Sequence, residues 1–107
     1  MKLEHYSPAK INSEIGAIVG RHLDMSKYRV FFFGSRVTGL SSERSDIDIG
    51  IDGDAPVPAR AMQEIREAIE HLPTLYKIDI VDFSQVPPGF RSLALRQTQP
   101  VQLATAV

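Results

Sequence analysis

The sequence predicts a mixed α/β fold of the α+β kind, a small β-sheet with helices packed against it. Three observations predict it. A nearly continuous apolar run, YRVFFF at residues 28–33, has the aromatic and β-branched content of a strand buried on both faces. Two segments, DIDIGI at 46–51 and KIDIVDF at 77–83, alternate with a period of two, as half-buried strands do. Around them lie stretches whose apolar residues recur at helical spacing. The resulting order is α, β, loop, β, α, β, α and a last edge β, which packs as layers around one core.

Each element has its own local cause. Ser7-Pro8 reads as a helix start, Ser as N-cap and Pro at the first helical position. Ile11, Ile15, Ile18, Val19, His22 and Leu23 then form one stripe, and the helix is expected to end before Ser26. Gly34 stops the strand at 28–33, and a Gly/Ser/Arg-rich loop runs to Ser45. The strand at 46–51 puts Asp46 and Asp48 on one face and Ile47, Ile49 and Ile51 on the other. Asp52-Gly53-Asp54 reads as a turn. Pro56 and Pro58 lead into a second helix with Met62, Ile65, Ile69 and Leu72 on its apolar stripe, closed by Pro73. After the strand at 77–83, Pro87-Pro88-Gly89 breaks the chain. A short helix is expected at 90–97 and an edge strand at 101–103.

Composition narrows the function. At 107 residues the chain is expected to be one domain, 1–107, without an internal repeat or linker. Its 12 Lys and Arg balance 13 Asp and Glu, so no basic footprint for a dedicated nucleic-acid surface is present. Cysteine is absent, which excludes a disulfide framework and a thiolate metal site. No stretch approaches the ~18 apolar residues of a membrane span, and residues 1–6 lack the apolar core of a signal peptide. A cytoplasmic domain is expected.

The chemistry-bearing residues sit in three places. Asp46 and Asp48 lie two apart on one strand, with Cα atoms about 6.5 Å apart on one face. Asp is depleted in strands, and two carboxylates pointing the same way repel unless something neutralises them. Asp79 stands inside the next strand where an apolar residue would be expected. Should that strand be a neighbour, three carboxylates converge. Hard oxygen ligands suit Mg²⁺, and two ions about 3.5–4 Å apart hold the attacking and leaving oxygens of a phosphoryl displacement. The third place is Gly34-Ser35-Arg36-Val37-Thr38-Gly39, directly after the buried strand. Gly34 admits a close ligand, Ser35 offers a hydroxyl, and a helix start there would aim N–H groups at a phosphate. Arg36 and Arg44 add fork-shaped donors. On its alternation, Asp82 points to the face opposite Asp79.

In FFFGSRVTG (31–39), SDIDIGI (45–51) and KIDIVDF (77–83) the chain resembles the nucleotidyltransferase superfamily related to DNA polymerase beta. It looks most like the minimal nucleotidyltransferases, the antitoxins of HEPN–MNT toxin–antitoxin pairs. The family pattern is a hydrophobic strand, Gly-Ser, roughly ten residues, Asp-x-Asp, and a later strand with a third Asp; the resemblance spans about residues 11–103. It implies that Asp46 and Asp48 bind metal with Asp79, which activates the attacking hydroxyl. It implies that Gly34 and Ser35, with Arg36 and Ser45 beside them, hold the nucleotide. It implies two Mg²⁺ ions, ATP as substrate, and transfer of AMP to a tyrosine of a partner HEPN toxin in a hetero-oligomer. Larger relatives carry an acceptor or base-recognition domain, for which 107 residues leave no room.

Two other readings stay open at this point. One is an antitoxin that neutralises its partner by covering it. The other is a transferase for a small molecule of the aminoglycoside type. Three converging carboxylates favour chemistry over simple covering, because a cover has no physical need for them. His5, His22 and His71 are too scattered for a metal site, and Lys77 suits protection of a strand edge. An apolar partner surface is expected over 86–95, where Phe90, Leu93 and Leu95 follow a Pro-Gly stretch, and on the exposed side of Tyr76.

Overall fold

A computed structural model describes residues 8–34, 47–74 and 76–101. Helix α1 spans Pro8–His22, strand β1 Tyr28–Phe33 and strand β2 Ile47–Gly53. Helix α2 spans Ala59–Glu70, strand β3 Ile78–Asp82, helix α3 Pro88–Ala94 and strand β4 Gln99–Pro100. The four strands form one mixed sheet in the order β3-β2-β1-β4. β1 runs antiparallel to both β2 and β4, whereas β2 and β3 are parallel. That parallel pair requires a crossover, and α2 supplies it.

Ile11, Ile15, Ile18 and Val19 of α1 and Met62, Ile65 and Ile69 of α2 are buried at helical spacing. They pack on one face of the sheet against Val30 and Phe32 of β1, Ile47, Ile49 and Ile51 of β2 and Ile80 of β3. His22 Nδ1 lies 3.1 Å from Glu64 Oε2 and links the two helices at their rim. The alternate residues of the same strands look the other way. There Phe31, Phe33 and Phe83 form a second cluster, with Val81, Val86, Ala94 and Leu95 against it. β1 is therefore buried on both faces, as its continuous apolar run requires. The rings of Phe31 and Phe33 each meet Phe83 edge-on at 5.0 Å, a favoured aromatic geometry. Gly50 makes this possible: a Cβ there would lie 2.6 Å from the Phe31 ring and 2.8 Å from Phe83.

The order of elements matches the sequence reading, and the ends differ in five places. α2 stops at Glu70 with His71 as its C-cap, so Leu72 of the expected stripe lies beyond the helix. β2 runs on through Asp52 to Gly53, so Asp52-Gly53-Asp54 is not a turn starting at Asp52; the cross-strand pair Arg29↔Asp52 keeps it in the ladder. β3 is two residues shorter than expected, Ile78–Asp82. α3 begins at Pro88, since Pro is suited to the first turn, and ends at Ala94. The last strand lies at Gln99–Pro100, followed by a hydrogen bond from Val101 N–H to Val30 O at 3.0 Å. Among the described residues no helix is long and apolar enough to cross a membrane.

Candidate active site

The site begins with the register of β2 and β3. Asp48 pairs directly with Asp79, so the two carboxylates stand side by side on neighbouring strands, which lie about 4.8 Å apart. Both point away from the two-helix core, and both are half-buried. Alternation sends the isoleucines on either side of each Asp into that core. Asp82, three residues beyond Asp79, lies on the opposite face. Its Oδ2 accepts the Val57 N–H at 2.8 Å, and its Oδ1 accepts the Ser84 N–H and hydroxyl at 2.9 and 2.7 Å. It anchors the entry to α2 and the turn after β3.

Gly34 closes the site from the end of β1. It has φ +85°, the left-handed region that favours glycine. Its neighbour Phe33 pairs with Asp48 across the sheet. A Cβ on Gly34 would collide with the Asp48 carboxylate. The backbone thus passes Asp48 closely enough that a side chain at residue 34 would displace its carboxylate.

A cleft of about 1040 Å³ opens beside these residues. It is lined by Gly34, Asp48 and Asp79 at the sheet, by Arg66 and Glu70 of α2, by Tyr76 and Lys77 before β3, and by Phe90, Leu93 and Arg96 in and after α3. The two carboxylates suit a hard divalent cation, which takes oxygen ligands. Among the described residues no third carboxylate or imidazole joins them.

A third carboxylate on this face of the sheet has a different fate. Asp52 is 4% exposed, yet it is fully partnered. Arg91 of α3 grips it with both arms, Nη1 to Oδ1 at 2.7 Å and Nη2 to Oδ2 at 2.8 Å. Arg29 of β1 adds a third hydrogen bond at 2.8 Å. The Arg91 fork, helped by Arg29, holds the Asp52 carboxyl below the usual carboxylate range, against the opposing effect of burial. The same contact raises the Arg91 guanidinium. Since α3 contributes no buried side chain, this fork is its principal polar tie to the sheet. Phe90 adds contacts to Phe33 and Phe83, with ring centres 6.2 and 6.0 Å apart.

Of the residues singled out from the sequence, Gly34, Asp48 and Asp79 come together at one end of the cleft. Asp46, Ser35, Arg36, Arg44 and Ser45 lie outside the described residues. Sequence reasoning missed the Asp52–Arg91–Arg29 cluster. The available signal was a D-x-D-x-G-x-D spacing over 46–52, which puts all three Asp on one strand face.

Comparison with known proteins bears on the family and the fold. Residues 25–102 match the family described as Polymerase beta, Nucleotidyltransferase. The chain is 30% identical over 90 residues to "Probable protein adenylyltransferase MntA" of Haemophilus influenzae, covering 82% of this chain and 79% of that protein. The fold is similar to "Crystal structure of the toxin-antitoxin with AMP-PNP", with TM-score 0.66, 18% identity, and coverage of 92% of this chain and 76% of that one. It is also similar to a mutant toxin–antitoxin MntA-HpeT structure, with TM-score 0.60, 15% identity, and coverage of 83% and 70%. At these identities the two structures bear on the fold alone.

Proposed function

The chain belongs to the polymerase beta nucleotidyltransferase family, and from that membership we propose that it transfers AMP from ATP to a hydroxyl of a partner protein, a HEPN-type toxin, and so acts as its antitoxin. The pairing of Asp48 with Asp79 beside Gly34 is the observation that carries this reading. The relative's description as a protein adenylyltransferase supports the choice of a protein acceptor. Domain 1–107 acts as one minimal transferase unit within a hetero-oligomer, and the acceptor arrives on the partner.

In this reading Asp48 and Asp79 hold Mg²⁺ together with Asp46. Bound Mg²⁺ offsets the negative charge of the carboxylates and triphosphate and makes the acceptor hydroxyl more acidic. The backbone at Gly34, with Ser35, Arg36 and Ser45, seats the phosphates. Asp79 takes the hydroxyl proton. The hydroxyl oxygen bonds to the α-phosphorus, the bond from that phosphorus to the β-phosphate oxygen breaks, and pyrophosphate leaves. Asp79 suits the proton-accepting role and Asp82 does not, because Asp82 is engaged by Val57 and Ser84 on the other face.

The test is transfer of label from α-labelled ATP to the toxin in Mg²⁺, with Asp48→Asn and Asp79→Asn beside the wild-type chain. Label on the toxin, absent with either variant, is the expected result. A stable complex that acquires no label would leave a binding antitoxin in place of the enzyme.

A further inference from the structure

One cleft serves both the carboxylates and α3. Phe90 of α3 packs edge-on against Phe33, with ring centres 6.2 Å apart. Phe33 is the cross-strand partner of Asp48 and the residue before Gly34. Phe90, Leu93 and Arg96 line the same cleft as Gly34, Asp48 and Asp79. A ligand seated on the carboxylates is therefore walled on one side by α3, and the position of that helix sets the width of the site.

Little of α3 is held by apolar burial. The helix has seven residues, Pro88–Ala94, none of them buried. Phe90 and Leu93 are 45% and 65% exposed. A helix this short is unstable in water by itself, so its ties to the sheet must fix it. The principal polar tie is the fork from Arg91 to Asp52, two charge-assisted hydrogen bonds of 2.7 and 2.8 Å. A planar guanidinium on a planar carboxylate fixes orientation as well as distance. Asp52 lies on β2 four residues beyond Asp48, on the same face by alternation. The fork thus ties the wall of the cleft to the strand that carries Asp48. The transfer steps do not use Asp52, and burying a carboxylate is unfavourable unless it is partnered. Holding α3 accounts for it.

We propose that Asp52 and Arg91 are positioning residues of the nucleotide site: their fork holds α3 at the spacing that admits ATP onto Asp48 and Asp79. The identity of the ligand rests on the transferase reading. Neither residue lines the cleft, so both act through Phe90 and the rest of the α3 wall. Breaking the fork leaves Gly34, Asp48 and Asp79 in place on the sheet and frees the wall. Nucleotide binding must then order the wall, which weakens affinity, while the chemistry of the bound complex is retained.

Arg29 supplies the control. It donates to the Asp52 oxygen that also takes one arm of Arg91, but it comes from β1 and holds no part of α3. Arg29→Gln and Arg91→Gln each remove one positive charge from beside Asp52, and only the second releases the helix.

The experiment titrates the full chain with a fluorescent ATP analogue in Mg²⁺, at a temperature where thermal melts show each variant folded. It reads the dissociation constant separately from the number of sites. Arg91→Gln is expected to weaken analogue binding about tenfold. Arg91→Lys, which keeps the charge and loses the fork, is expected to weaken it about threefold. Arg29→Gln should stay within about twofold of wild type. A merely stabilising fork would instead lower the number of sites and leave the dissociation constant of the remainder unchanged. In transfer to the toxin, Arg91→Gln should raise KM for ATP and retain kcat. An unchanged dissociation constant in Arg91→Gln overturns the proposal, and Arg91→Lys decides in the same way should Arg91→Gln not fold. An equal loss in Arg29→Gln also overturns it, because the effect would then belong to charge and not to α3. So does a wild-type chain without affinity for the analogue. Wild-type binding of the analogue without transfer to the toxin would sink the transferase reading and leave the positioning role standing, because affinity is read without turnover.

Discussion

The Asp48 carboxylate fills the space into which a Cβ on Gly34 would project. Residue 34 also has a positive φ. Gly34→Ala therefore meets two penalties, about 1–2 kcal/mol of left-handed backbone strain and displacement of a proposed metal ligand. We expect a melting temperature lower by about 4–8 °C per kcal/mol lost, with transfer reduced by far more than the stability change explains. Paired thermal melts and initial rates check this, and a variant with wild-type rates would remove Asp48 from the chemistry.

Asp48 and Asp79 repel each other across the β2–β3 ladder. Like charges directly opposite are destabilising. Asp79→Asn should thus melt at or above the wild-type temperature in EDTA. Adding Mg²⁺ should raise the wild-type melting temperature through ligand linkage and leave the variant lower in the comparison. Transfer should fall about a hundredfold or more with loss of the proton acceptor. Chelation of the wild-type chain should abolish transfer reversibly. Equal Mg²⁺ stabilisation in both proteins would contradict the assignment.

Asp52 predicts an acid-sensitive joint. Arg91 first, then Arg29, holds its folded-state pKa below the ordinary value of about 3.9. A carboxylate depressed on folding contributes stability above its unfolded pKa, and loses it as pH falls through the folded value. The wild-type chain should lose this contribution below about pH 4, while Asp52→Asn should show a flatter acid limb and be less stable at pH 7 by about 1–3 kcal/mol. Denaturant melts from pH 7 to pH 2 would show it; identical pH slopes would refute it.

Gly50 has a packing role that no local rule announces. Gly50→Ala would drive a Cβ into Phe31 and Phe83, at a cost of about 1–3 kcal/mol for overpacking. Phe31→Leu in the same chain should recover part of the loss, because it removes the ring atoms nearest the new methyl. A double-mutant cycle by chemical denaturation measures the coupling. Additive losses would mean the backbone, not the rings, bears the strain.

The described carboxylates of the candidate site were legible because they rest on period-two patterning. Asp48 and Asp79 each interrupt an alternating apolar strand, so their shared face followed once the strands proved to be neighbours. Asp52 was not legible. Asp-Gly-Asp has the local chemistry of a turn, and the partner that keeps Asp52 extended and buried, Arg91, comes from a helix 39 residues further along. The start of α3 was hidden for a related reason. Pro87-Pro88-Gly89 reads as a break, yet Pro88 is the first residue of the helix. A tertiary contact decided the first point, and the first-turn preference of proline the second.

The parallel pairing of β2 with β3 also governs when the chain acquires its chemistry. Asp48 and Asp79 meet only after α2 has docked and closed the crossover between their strands. Loop-closure entropy is paid before that non-local contact forms. A nascent or partly unfolded chain therefore presents the two carboxylates apart and chemically idle. Competence for the proposed transfer should appear cooperatively with the complete sheet, which makes that activity a report on the chain's own folding.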